Sequence, residues 1–76
     1  MGKTDISNQI EYYICCVGAF AKRFSISNVE AFRYLSQLGG MNFLYRNYEI
    51  EHTQSIEDAV EDIATICMRH GGALLV

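Results

Sequence analysis

Apolar residues recur at steps of three and four along the first third of the chain. This spacing is typical of a helix with one buried face, because three to four residues complete a helical turn. It predicts a long helix over residues 5–24. Its buried stripe comprises Ile6, Ile10, Tyr13, Ile14, Val17, Phe20, Ala21 and Phe24. Further apolar residues widen the stripe, so we expect this central helix to be packed on more than one side.

A second helix is predicted over residues 28–38. Ser27 followed by Glu30 is a capping box, in which each side chain binds a free backbone N–H of the first turn. Gly39 and Gly40 end the helix, because glycine readily takes the left-handed conformation that closes one. The positions expected to face inward are Val29, Phe32, Leu35 and Leu38.

The chain then passes through a short third helix or turn over residues 41–47, which is rich in aromatic side chains. After it, Tyr48, Ile50 and His52 alternate with polar residues. Strict alternation is typical of extended backbone, since successive side chains of a strand point to opposite sides. The pattern therefore predicts a short extended connector before the last helix.

The last helix is predicted over residues 56–70. Ser55 is its expected N-cap, and acidic residues follow in the first turn, where the helix dipole favours them. The inward stripe comprises Ile56, Ala59, Val60, Ile63, Ala64 and Cys67, and Gly71 and Gly72 end the helix. The apolar tail, residues 73–76, is expected to dock on the domain. Residues 1–76 thus form a single all-α domain, a compact bundle of three main helices with one short helix or turn.

Composition adds one expectation to this picture. Half of the 76 residues are apolar or aromatic, which is a high share for so short a chain. Small domains bury a limited fraction of their surface. We therefore expect apolar surface to remain for a protein partner or for a second copy of the chain.

Charge and cysteine content narrow the class of protein. The net charge is -3, and the basic residues are scattered along the chain, which argues against general binding to nucleic acid. The three cysteines have no disulfide-framework spacing, so reduced thiols in a cytoplasmic protein are expected. No leader sequence is recognised, and the longest nearly apolar run, residues 12–21, is too short to cross a membrane.

Three blocks of sequence resemble one bacterial family, domain of unknown function 3791. They are residues 26–35, then Gly39-Gly40 with Phe43-Leu44, then residues 48–62, and the resemblance extends over about residues 8–72. It implies a short helical protein, and the family, whose members are uncharacterised, supplies no catalytic residues to carry over. The genes of the family often lie beside that of an ADP-ribosyltransferase-like protein, which implies a small, antitoxin-like partner. Glu51 stands where relatives more often carry an apolar residue, so we expect this part of the connector to be exposed.

Two constellations could carry chemistry, and for both a structural role is the favoured interpretation. His52 could act as a base or ligand. The alternative is that it hydrogen-bonds a backbone group and holds the connector against the bundle. Cys67 and His70 could form part of a zinc site, but such a site needs four ligands, usually with paired spacings. We therefore predict no enzyme activity, no metal and no cofactor.

The acidic segment between Glu49 and Asp62 contains six of the nine acidic residues and nothing basic. Such a surface can orient a basic partner, and tyrosines just before it are frequent anchors in interfaces. The candidate partner-binding residues are Tyr45, Tyr48, His52, Gln54, Glu57, Glu61 and Asp62.

The sequence thus favours a small non-catalytic interaction module, with an ADP-ribosyltransferase-like protein as candidate partner and self-association as a further possibility. The main alternative is a nucleic-acid-binding regulator of its own operon, with Asn28, Arg33 and Gln37 of the second helix aimed at bases. An enzyme centred on His52 is the least favoured of the three.

Overall fold

The computed structural model describes the backbone of residues 2–72 and the side chains of residues 8–72. Five helices follow one another: α1 (Gly2–Phe24), α2 (Asn28–Gln37), α3 (Gly40–Arg46), α4 (Tyr48–Glu51) and α5 (Ile56–Arg69). No strand occurs in this part of the chain, which confirms the all-α prediction. The prediction for residues 73–76 lies outside the described residues.

Local signals set the helix ends close to where they were predicted. The hydroxyl of Ser27 accepts a hydrogen bond from the N–H of Glu30 at 3.1 Å, and the carboxylate of Glu30 accepts one from the N–H of Ser27 at 3.0 Å. Gly39 has φ +86°, the left-handed conformation that separates α2 from α3. At α5, the hydroxyl of Ser55 accepts a hydrogen bond from the N–H of Asp58 at 3.1 Å. The capping and glycine predictions are confirmed.

The connector after α3 is helical, so the prediction of an extended segment is wrong. The N–H of Glu51 donates to the carbonyl of Asn47 at 2.8 Å, and the N–H of His52 to that of Tyr48 at 2.9 Å. The rings of Tyr48 and His52 stack, with centroids 4.5 Å apart and planes within 10°. Side chains four residues apart meet only when the backbone is helical. Tyr48 and His52 therefore lie on one side of a helical turn, whereas Ile50, two residues from each, points away from them.

Helix α1 contacts α2 and α5, and α3 also contacts both of them. The core between these elements is apolar, and its largest fully buried side chains are Phe20, Leu35, Leu44, Ile63, Cys16 and Cys67. Burying such side chains drives folding, by roughly 1.5–3 kcal/mol for each large one. The described residues include no helix with the length and apolar character needed to cross a membrane.

Four positions predicted to face inward do not. Ile10 and Ile14 of α1 and Val29 and Phe32 of α2 are each at least half exposed. The periodic pattern identified the apolar side of each helix correctly. It did not show which part of that apolar side the other helices leave exposed.

Candidate functional site

An open apolar groove runs between α1, α2 and α3. Its volume is about 530 Å³, and its lining is Ile10, Tyr13, Ile14, Val17, Asn28, Val29, Phe32, Met41 and Tyr45. Asn28 is the sole polar residue among them. Five of these side chains, Ile10, Ile14, Val29, Phe32 and Tyr45, are half exposed or more. Contiguous exposed apolar surface of this kind marks sites where another molecule binds.

The groove follows from the geometry of the two longer helices that form it. Ile10 and Ile14 lie one turn apart on α1, and Val29 and Phe32 lie nearly one turn apart on α2, so each pair projects from one side of its helix. Val17 and Met41 close the floor as buried residues. The groove therefore has a buried floor and protruding apolar walls, the form that accepts an apolar helix face.

Glu51 occupies an unexpected position for an acidic residue. It is only 4% exposed, and one carboxylate oxygen, Oε1, has no hydrogen-bond partner among the described residues. The carboxyl group of Asp62 on α5 lies near enough to interact electrostatically with it. Burial, together with this second acidic group, raises the pKa of Glu51 to about 7. The expected exposure is wrong for Glu51 itself, because α4 turns it inward, whereas its neighbours Ile50 and His52 are exposed.

Two residues of α1 complete the surroundings of Glu51. The hydroxyl of Tyr12 is buried without a hydrogen-bond partner in the described part of the chain. Burial raises the pKa of Tyr12, and it raises the pKa of the Cys16 thiol to about 11. Both groups are therefore neutral at physiological pH, and neither supplies a positive charge to Glu51.

Aromatic rings connect α1 to α3 and α4. Tyr13 makes edge-to-face contacts with Tyr45 and Tyr48, with ring centroids 4.9 and 5.9 Å apart, and Tyr12 contacts Tyr48 in the same way at 5.5 Å. Pairs of this geometry contribute roughly 0.5–1.5 kcal/mol beyond their buried area. Tyr45 and Tyr48 thus position α3 and α4 on α1, and Tyr45 also lines the groove.

His52 bonds a backbone group, as the sequence favoured, but that group belongs to its own helical turn and not to another part of the bundle. Its Nδ1–H donates a hydrogen bond to the carbonyl of Tyr48 at 2.7 Å, and its ring stacks on that of Tyr48. The imidazole is exposed, in a shallow depression that it shares with Asn8, Gln9, Tyr48 and Glu49. Gln54 is half-buried at the end of the same turn, where its N–H donates to the carbonyl of Glu51.

The acidic side of α5 lies beside basic residues of α1. Glu57, Asp58 and Glu61 line a depression together with Lys22 and Arg23, and Arg23 forms a salt bridge with Glu61. These residues are exposed, so solvent screens the pair and its contribution to stability is small. The local negative charge is therefore partly balanced within the chain itself.

The predicted partner-binding residues do not form one surface. Tyr45 lines the groove, whereas Glu57 and Glu61 lie beside Arg23 on another side of α1. Asp62 faces the buried Glu51. The groove residues Ile10, Ile14, Val29 and Phe32 were absent from the prediction. The signal that could have identified them is the apolar content, which exceeds what so short a chain buries.

Cys67 and His70 separate in the structure. Cys67 is buried, whereas His70 is exposed and its Nδ1–H donates to the carbonyl of Leu38 at 2.8 Å. Within residues 8–72, no group of three His, Cys, Asp or Glu side chains is arranged to hold a metal ion.

Comparison with known proteins places the chain in a family. No curated protein and no solved structure matches it. One family model, described as "Protein of unknown function (DUF3791)", matches residues 11–70, which includes every groove residue except Ile10. The chain belongs to the DUF3791 family.

Proposed function

We propose that the chain is a small interaction module that binds a protein partner through the apolar groove. The observation that carries this proposal is the exposure of five large apolar side chains around a floor of buried residues. Leaving this surface in water costs free energy that a partner recovers by covering it. The shape suits an apolar helix face, with two or three side chains entering the groove.

The family resemblance suggests the partner's identity. Genes of the family often neighbour that of an ADP-ribosyltransferase-like protein, so we propose an antitoxin-like or regulatory complex with that protein. The acidic side of α5, with Glu57 and Glu61, is a separate candidate for contact with it. Because these residues lie away from the groove, substitution can test each surface independently.

The test is co-expression of the tagged chain with the product of the neighbouring ADP-ribosyltransferase-like gene, followed by co-purification. Ile14→Asn should reduce recovery of the partner at least about tenfold, because it places an amide in a desolvated apolar contact. Ile50→Asn is the matched control, since Ile50 is 63% exposed and lies outside the groove, while Ile14 is 64% exposed. Equal recovery with both variants would contradict the use of the groove.

A second pair of variants tests the acidic surface. Glu57→Lys with Glu61→Lys should leave co-purification intact if the groove provides the binding energy. If this double variant loses the partner while Ile14→Asn binds it normally, the binding surface is the acidic side of α5 and not the groove.

The alternative function, binding to nucleic acid, has one supporting observation: Asn28, Arg33 and Gln37 are all exposed on α2. Val29 and Phe32 are exposed among them, however, which is unlike a polar face that reads base edges. A gel shift with the DNA upstream of the gene, repeated over a series of salt concentrations, tests this alternative. Real phosphate contacts would weaken steeply as salt increases.

A further inference from the structure

Gly18 lacks an evident role within the fold. It lies in the interior of α1, where glycine destabilises a helix by roughly 0.5–1 kcal/mol relative to alanine. Among the described residues, a Cβ atom at this position would meet nothing within 4 Å, and the backbone does not have positive φ. Neither a turn nor a close internal contact requires glycine here. The surface of α1 at Gly18 is therefore open to close approach by another molecule.

Gly18 continues the exposed stripe that forms one wall of the groove. Ile10, Ile14 and Gly18 are separated by steps of four residues, so they follow one another along the same side of α1. The stripe therefore presents two protruding side chains and then a gap without any side chain. A matching partner needs a gap opposite Ile10 and a protruding side chain opposite Gly18.

We infer that a second copy of the chain covers the groove when no other partner is bound, with the two α1 helices antiparallel and crossing at Ile14. In that arrangement, residues equally far from Ile14 oppose each other. Ile10 of each copy then packs against Gly18 of the other. A two-fold axis requires such self-complementarity, because the same patch must serve both copies.

The available apolar area agrees with a weak dimer. Complete covering of all five exposed groove side chains, at roughly 100 Å² each, would bury at most about 500 Å² per copy and about 1,000 Å² for the pair. That total is near the lower limit for a specific interface, about 1,000–1,200 Å². We therefore expect association that depends on concentration and that a larger partner can displace. This inference concerns the groove of the proposed function, and self-association would regulate access to it.

Sedimentation equilibrium of the full chain over a roughly hundredfold range of concentration provides the test. The expected mass rises from 8.6 kDa toward twice that value. Ile14→Asn should raise the dimer dissociation constant at least about tenfold, because Ile14 lies at the crossing point. Ile50→Asn should leave it unchanged, since Ile50 has the same exposure but lies outside the groove.

Gly18→Ala distinguishes an effect on dimerisation from an effect on folding, because it should stabilise the folded monomer and weaken the dimer. The dilute, monomeric variant should melt about 3–6 °C higher, because alanine favours the helix and meets no internal obstacle. Its dimer should be weakened about tenfold, because the new methyl group occupies the space that Ile10 of the other copy needs. Higher stability with undiminished dimerisation would overturn the antiparallel arrangement.

Cys15 supplies an independent readout. It is exposed next to Ile14, whereas Cys16 and Cys67 are buried, so a thiol reagent modifies Cys15 selectively. The inferred arrangement places the two Cys15 residues on the same side of the helix pair, about 10 Å apart at an ordinary interhelical distance. A bismaleimide of that span should link wild-type chains into dimers and fail with Cys15→Ser or Ile14→Asn.

Two results would overturn the inference: a monomer at every concentration, or a dimer insensitive to Ile14→Asn. Neither removes the proposed function, which depends on recovery of the ADP-ribosyltransferase-like protein. A monomeric chain that loses that partner through Ile14→Asn would support the proposed function alone. A dimer whose Ile14→Asn variant still binds the partner would support self-association alone.

Discussion

The carboxyl group of Glu51 faces that of Asp62, and neither forms a salt bridge with a Lys or Arg side chain among the described residues. Glu51 is buried, and its neighbours on α1, Tyr12 and Cys16, are neutral at physiological pH. Placing two negative charges here is unfavourable, so the folded protein retains a proton on Glu51 at pH values where an unfolded chain has lost it.

Stability should therefore decrease as the pH rises from about 4.5 to about 7. The pKa of Glu51 is about 7 in the folded protein against an ordinary value of 4.5. Between these values the folded state binds more protons, so the free energy of unfolding falls with pH by about 3 kcal/mol in total, and it levels off above. Below about 4.5 this contribution is fully present. Chemical denaturation at closely spaced pH values measures it.

Glu51→Gln isolates this contribution from other titrations. Glutamine has a similar shape but no charge, so the variant should be more stable than the wild type at pH 8 and should lack the decrease between pH 4.5 and 7. Glu49→Gln, at an exposed position of the same helix, should follow the wild-type curve. A decrease that persists in Glu51→Gln would show that another group causes it.

Phe20 and Phe32 form a matched pair of aromatic residues with opposite environments. Phe20 is 0% exposed in the core, and Phe32 is 50% exposed in the groove. Phe20→Ala should lower the free energy of unfolding by about 3–5 kcal/mol, because it leaves a cavity. Phe32→Ala should cost less than about 1 kcal/mol in the monomer. Urea denaturation at low protein concentration compares them, and similar losses would contradict the assignment of Phe32 to an open surface.

Ser55→Ala tests the start of α5. The substitution removes the hydroxyl that accepts the hydrogen bond from the N–H of Asp58, so the expected loss is about 1 kcal/mol. Ser55→Asp should restore most of the stability, because a carboxylate caps the same N–H. An unchanged denaturation midpoint in Ser55→Ala would show that water replaces the cap at no cost.

Gly39→Ala should be strongly destabilising, in contrast to Gly18→Ala. The backbone of Gly39 has φ +86°, and a Cβ atom there would lie 2.8 Å from Nδ1 of His70. Alanine would also disturb the hydrogen bond from His70 to Leu38. We expect a loss of at least about 1–2 kcal/mol in thermal or chemical denaturation. A loss close to zero would mean that α2 and α3 can be joined through another backbone conformation.

The helix boundaries were predictable because they depend on neighbouring residues. The hydrogen bonds at Ser27 and Ser55 and the left-handed Gly39 involve groups within a few residues of each other. The turn at α4 was not predictable in this way. Its alternating residues suit a strand, and the stacking of Tyr48 on His52 that accompanies the helical form depends on packing against α1.

The groove and the pairing of Glu51 with Asp62 were not predicted, for a different reason. Periodicity shows that Ile14 and Phe32 lie on apolar helix faces, but coverage of those faces depends on elements distant in sequence. Burial of Glu51 contradicts the usual behaviour of acidic side chains, which are almost never fully buried without a partner. Only the three-dimensional arrangement of α1, α4 and α5 brings Glu51, Asp62 and Tyr12 together.

Helix α1 separates the groove from the acidic side of α5. Ile14 lines the groove on one side of this helix, and Arg23 meets Glu61 on another. A molecule seated in the groove therefore leaves the acidic side uncovered. The two surfaces are therefore separated by little more than the diameter of a single helix.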